Sequence, residues 1–227
     1  MGIAVLATAT LPSGQATAAP TGATGTCSFS DVTLTVDGTN YAPVACRQPI
    51  NQTQGPDVET ADMAAKFGVG LTYLAKVDGG GAATNTGAAA LNFAVSADLD
   101  PATSGVYGIS WTENPNISPD LPLMADLVVG LLGGNNGSAY YFNDVLLTID
   151  PNFGTGTFTV TFKNKGGNTP GLSHLTLAGT DFNAFTPPPD PEDPPTGGTN
   201  IPEPATLALF GLGLAGLGAA SRRRRKA

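Results

Sequence analysis

From Thr155 to Phe162 the chain reads TGTFTVTF, and no other stretch restricts its fold as much. In an extended backbone successive side chains point to opposite faces. Phe158, Val160 and Phe162 then line one face, and Thr157, Thr159 and Thr161 line the other. A helix would scatter both sets around its axis, so the segment reads as a strand with one buried and one wetted side. The same period recurs along the chain. Val32–Val36 alternates and runs into an Asp37-Gly38 turn. Phe67–Val77 alternates through Gly68, Gly70 and Thr72 and stops at Asp78-Gly79-Gly80-Gly81. Leu91–Val95 and Val106–Thr112, which carries the single tryptophan Trp111, follow. Tyr140–Phe142, Val145–Ile149 and Leu172–Leu177 complete the set. Leu127–Leu132 is continuously apolar and ends at Gly133-Gly134-Asn135-Asn136-Gly137.

Short helices fit only at Ala61–Lys66 and Ala82–Ala90, and no internal repeat is visible. With 30 Gly, 19 Pro and only 12% charged residues, the composition agrees with a turn-rich body. The expected fold class is all-β: an antiparallel β-sandwich, jelly-roll-like, from Ala19 to Phe185.

The net charge of -8 conceals a split. Five of the ten basic residues are Arg222, Arg223, Arg224, Arg225 and Lys226, so Ala19–Asn200 holds five basic against 17 acidic side chains. A body that acidic repels nucleic acid and anionic lipid. Cys27 and Cys46 are the two cysteines. In an exported chain such a pair reads as one disulfide, closing a loop of about twenty residues worth about 3 kcal/mol. Two Cys and one distant His do not make a four-ligand zinc site.

Both ends read as targeting segments. Residues 1–18 have an apolar core, Ile3–Leu11, followed by Ala16-Thr17-Ala18, the pattern of a signal peptide cleaved before Ala19. No Lys or Arg precedes the core, and the basic start of a leader is expected upstream of Met1. The competing reading is an apolar first strand, which Pro12-Ser13-Gly14 would break. At the other end Ala205–Ala220 is free of charge. As a helix it would be about 24 Å long at about 1.5 Å per residue, short for a permanent span of a hydrocarbon core about 30 Å thick. The cluster Arg222–Lys226 would stay on the cytoplasmic side, with the body outside.

Ile201-Pro202-Glu203-Pro204-Ala205-Thr206-Leu207, then the apolar run, then the basic cluster, closely resembles the PEP-CTERM sorting signal of Gram-negative bacteria. The resemblance implies recognition and cleavage by an exosortase near Pro202, Glu203 and Pro204. It also implies a transient stay at the inner membrane, then the cell surface or the extracellular space. The physics agrees: two prolines hold an extended backbone without internal hydrogen bonds, which an enzyme cleft can grip. A plain anchor that is never cleaved is the alternative. The body also resembles ectodomains found upstream of such tails, through Leu74–Gly79, Asp126–Leu131, Ala139–Phe142 and above all Gly171–Leu177. That likeness implies a fold and a location but no reaction.

Residues 186–200, TPPPDPEDPPTGGTN, form the expected linker. Six prolines and three acids leave nothing to bury. A polyproline II spacer of this length would reach about 40 Å at about 3.1 Å per residue.

Few residues carry chemistry. His174 is the single histidine. In a strand its neighbour Ser173 should point to the opposite face, which argues against a Ser–His dyad and for a structural hydrogen bond. No catalytic residue and no metal site is therefore expected. Asp98 with Asp100, or Asp57 with Glu59, are the donors for a structural calcium ion, the one cofactor worth testing. Tyr107 and Trp111 share a strand face, and with Tyr140-Tyr141 would make a sugar platform if exposed; core packing explains them more simply. The expected protein is an exported, non-enzymatic, exopolysaccharide- or biofilm-associated surface protein. A glycan- or calcium-binding matrix module is the second reading, and a secreted hydrolase with paired carboxylates the third.

Overall fold

A computed structural model describes residues 19–51, 55–79, 84–85, 91–99, 102–113 and 121–187. The expected leader, nearly all of the linker, the Pro-Glu-Pro motif, the apolar run and the basic cluster lie outside these residues. Among the described residues no helix is long and apolar enough to cross a membrane.

The strands are β1 (Gly22–Ala23), β2 (Leu34–Val36), β3 (Thr39–Tyr41), β4 (Ala45–Arg47), β5 (Thr72–Asp78) and β6 (Thr84–Asn85). They continue as β7 (Leu91–Ala97), β8 (Ser104–Glu113), β9 (Leu123–Gly133), β10 (Asn136–Leu147), β11 (Phe153–Thr159) and β12 (His174–Ala184). One helix, α1 (Pro56–Phe67), is found among the described residues. The larger sheet has the order β1-β4-β10-β9-β12-β5-β6, and the smaller β3-β2-β11-β8-β7. Every pairing is antiparallel except β1 with β4.

The expected pair of packed antiparallel sheets is present. One apolar core joins their inner faces, with Val32, Leu34, Phe93, Trp111 and Phe158 from the smaller sheet against Leu127, Val129, Tyr140 and Phe142 from the larger. β11 shows the alternation that the sequence promised, exposed at each Thr and Phe153 but buried between. β9 does not alternate, because the larger sheet is covered on both sides. Its outer face packs Val128, Leu132, Tyr141 and Ala178 under Met63 and Phe67 of α1. A strand buried on both faces has no wetted side and reads as a continuous apolar run.

α1 begins with Pro56 at its first turn, where a missing N–H costs nothing. Asp57 and Glu59 sit near its N-terminus, and Gly68 closes it in the left-handed conformation (φ 73°) with its N–H on Ala64 O at 2.8 Å. This corrects the expected strand from Phe67: Phe67 ends the helix, and β5 starts only at Thr72. Gly68 and Gly70, having no side chains, imitate a period of two without specifying one. The segments expected separately at Tyr140–Phe142 and Val145–Ile149 are one strand, β10, with its register shifted between Phe142 and Val145.

Cys27 and Cys46 are joined, with Cα atoms 6.2 Å apart. The bond ties the lead-in to β2 in the smaller sheet to β4 in the larger. Replacing both cysteines by alanine is expected to cost about 3 kcal/mol by the loop-entropy estimate for this spacing, read as a lower urea midpoint. A matching loss should follow when dithiothreitol is added to the native protein.

Candidate functional site

The most concentrated chemistry lies where α1 crosses the larger sheet. Glu59 is in the first turn of α1, and its side chain is fully buried. An isolated carboxylate there would be too costly to stay ionised. Three groups compensate. His174 Nε2 lies 2.9 Å from Oε1 and Lys76 Nζ 3.3 Å from the same atom. The Thr176 hydroxyl donates to Oε2 at 2.8 Å. Asp78, at the end of β5, adds a second carboxylate 3.6 Å from both Lys76 Nζ and His174 Nδ1. Burial alone would raise the Glu59 carboxyl. The His174 hydrogen bond and charge, the Thr176 hydroxyl and the Lys76 ammonium outweigh it and hold the group below the usual carboxylate range.

His174 and Thr176 are two apart on β12 and share a face; Lys76 lies opposite Thr176 on β5. The expected orientation of Ser173 is corrected. Ser173 precedes β12, outside the regular pleat, and its hydroxyl lies 3.0 Å from His174 Nδ1 while donating to Leu132 O at 2.9 Å. Both ring nitrogens of His174 thus have partners, and the cluster fastens α1 to β5 and β12.

Two further buried acids anchor phenols. Asp31 Oδ2 accepts hydrogen bonds from Tyr140 Oη at 3.0 Å, Thr161 Oγ1 at 2.9 Å and the Ser28 backbone N–H at 2.7 Å. Asp126 accepts from the Tyr141 hydroxyl and from the Asp144 backbone N–H at 2.8 Å, pinning the irregularity in β10. Burial raises the Asp126 carboxyl despite these bonds. Burial also raises the hydroxyls of Tyr140 and Tyr141, and the adjacent carboxylates add to the effect.

The remaining candidates fall as follows. Tyr107, Trp111, Tyr140 and Tyr141 are all buried, so they are core residues, the simpler of the two readings, and form no exposed sugar platform. Tyr107 and Trp111 do share a face, but it is the inner one. Tyr107 donates to Thr33 O at 2.6 Å, and Trp111 Nε1 donates to Thr148 O at 2.7 Å. Tyr107 also fills the space over Gly156, where any Cβ would come within 2.4 Å of its ring. Asp57 and Glu59 do not converge: Asp57 is exposed, and Glu59 is committed to His174 and Lys76. Asp98 is exposed and accepts from the Val106 backbone N–H at 2.9 Å, while Asp100 lies outside the described residues. Among the described residues no three His, Cys, Asp or Glu side chains gather as a metal-binding group.

A disulfide-closed β body followed by a proline-rich acidic run, an apolar stretch and an arginine cluster defines a class, the exported protein with a C-terminal sorting signal. Within that class, residues 200–225 match the family model described as the PEP-CTERM protein-sorting motif. The motif supports an exported chain that is processed by an exosortase and reaches the cell surface or the extracellular space. Neither the curated proteins nor the solved structures contain a match to the chain.

Proposed function

We propose that the protein is a non-enzymatic component of the extracellular matrix, delivered by its sorting signal and held among exopolysaccharides once the tail is removed. The observation that carries this is the match at residues 200–225, at the end of a body with a buried disulfide and a strongly acidic balance. The polar cluster supports a structural role. Ser173 gives its proton to a backbone carbonyl, and Glu59 is sealed between a helix and a sheet. A nucleophile needs a base that faces it and an approach for substrate.

Mass spectrometry of the protein that leaves the cell tests the reading. The expected mature chain begins near Ala19, ends upstream of Arg222 and fractionates with the polysaccharide matrix. Extracellular material that still carries Arg222–Lys226, or mature chain found only in the free medium, would overturn it.

A further inference from the structure

The outer face of the smaller sheet carries a trough that the sequence did not signal. Register places its residues in three rows across the strands. The middle row is Ser96 on β7, Gly108 on β8, Thr155 on β11 and Thr35 on β2. One flanking row holds Val106 opposite Thr157, and the other holds Ser110 opposite Phe153. Gly108 has no side chain, so the middle row is low. Val106 and Phe153 stand up on either side, 57% and 53% exposed. They belong to rows about 13 Å apart along the strands, at about 3.3 Å per residue. The result is two adjoining hollows of about 560 and 450 Å³ that share Ser96, Gly108 and Thr155.

The lining of the trough is uncharged but for one residue. Its polar side chains are hydroxyls apart from Asp98, set among Ala, Val, Ile and Phe, and the hydroxyls of Ser96, Ser110 and Thr155 make no hydrogen bond among the described residues. Asp98 is the one charged side chain in the lining, and no Lys, Arg or His contributes. A face without cations on a body with five basic against 17 acidic residues repels anionic chains. Rows of hydroxyls, each both donor and acceptor, suit a ligand rich in hydroxyls. An exposed ring beside them offers an apolar surface for stacking. The trough crosses four strands, about 14 Å at about 4.8 Å per strand, longer than one sugar ring.

We propose that this trough binds a neutral polysaccharide chain, laid across β7, β8, β11 and β2 with Phe153 stacking on a sugar face. The proposal deepens the matrix reading above and rests on it only for where the ligand is met.

The test is affinity electrophoresis of the detergent-purified full chain in native gels containing dextran, hydroxyethylcellulose or galactomannan, with alginate as the anionic polymer. At least one neutral polymer should retard the protein, and alginate should not. Gly108→Val fills the trough. Its new Cβ meets only the Ser96 hydroxyl, at 3.0 Å, and the Gly154 carbonyl, at 3.9 Å, so the fold should survive with an unchanged melting temperature. This variant and Phe153→Ala should each weaken retardation at least tenfold. Should Gly108→Val melt early, Phe153→Ala alone decides.

Retardation by no neutral polymer, a preference for alginate, or variants that bind as the parent does would overturn the proposal. A chain that is cleaved and found in the matrix yet ignores all three neutral polymers refutes the trough and leaves the matrix reading standing. A chain that binds them but stays out of the matrix does the reverse.

Discussion

Cells producing the chain with Pro202, Glu203 and Pro204 all changed to alanine are expected to accumulate a full-length precursor in the membrane fraction and to release almost none. The expectation rests on division of labour along the tail. Proline lacks a backbone donor, has a fixed φ and disfavours helix, so the two prolines of the sequence favour an extended motif. Alanine is the best helix former, so the triple change removes the helix-breaking character of the motif. Recognition would lose both its charge and its shape. Residues 205–226 are untouched in this variant, so membrane targeting persists while processing stops. Immunoblotting of membrane and medium fractions reads the outcome. Mature-sized protein in the medium at parental levels would show that the motif is not the processing signal. A second variant, Glu203→Gln, separates charge from shape: if the extended backbone is what is gripped, it should be processed far better than the triple alanine chain.

The largest loss of stability is expected from Glu59→Gln. The amide keeps the size of the side chain but leaves His174 and Lys76 facing a neutral group in a buried site. Removing one partner of a buried ionic cluster costs about 3–5 kcal/mol, because the remaining charge stays desolvated and uncompensated. Urea unfolding at neutral pH measures it. The pH dependence has a definite sign. Glu59 titrates below its ordinary 4.5 in the folded protein. Its contribution is therefore full above about pH 4.5 and is lost as the pH falls through the folded value, where the native state also takes up the proton. The parent should lose stability along this acid limb, and Glu59→Gln should show a shallower one. A variant as stable as the parent at neutral pH would mean that the cluster holds nothing in place.

The sequence made the strands legible wherever one side of a strand faces water. TGTFTVTF is the clearest example, and β11 alternates as read. The continuous run at Leu127–Leu132 was legible as a buried strand, but not the reason for it, since α1 covers the larger sheet from outside. The three-residue strands β3 and β4 offer no period to detect. The sorting signal was legible because it is linear, with every part within about thirty residues. The Glu59 cluster was not, because Glu59 and His174 lie 115 residues apart and meet only where α1 packs across β12 and β5. The inference that Ser173 and His174 diverge assumed a regular pleat, which begins one residue too late. The trough was invisible for a related reason. Its floor is the lack of a side chain at Gly108, and a gap acquires a shape only once its neighbours across the sheet are known.

The bond between Cys27 and Cys46 also sets an order of events. Thiols stay reduced in the cytoplasm, so a newly made chain there lacks about 3 kcal/mol of the finished body's stability. A looser precursor threads a translocation pore more readily than a locked one. Oxidation on the far side then closes the sandwich. The crosslink thus works as a one-way latch, keeping the protein soft while it must travel and firm once it has crossed.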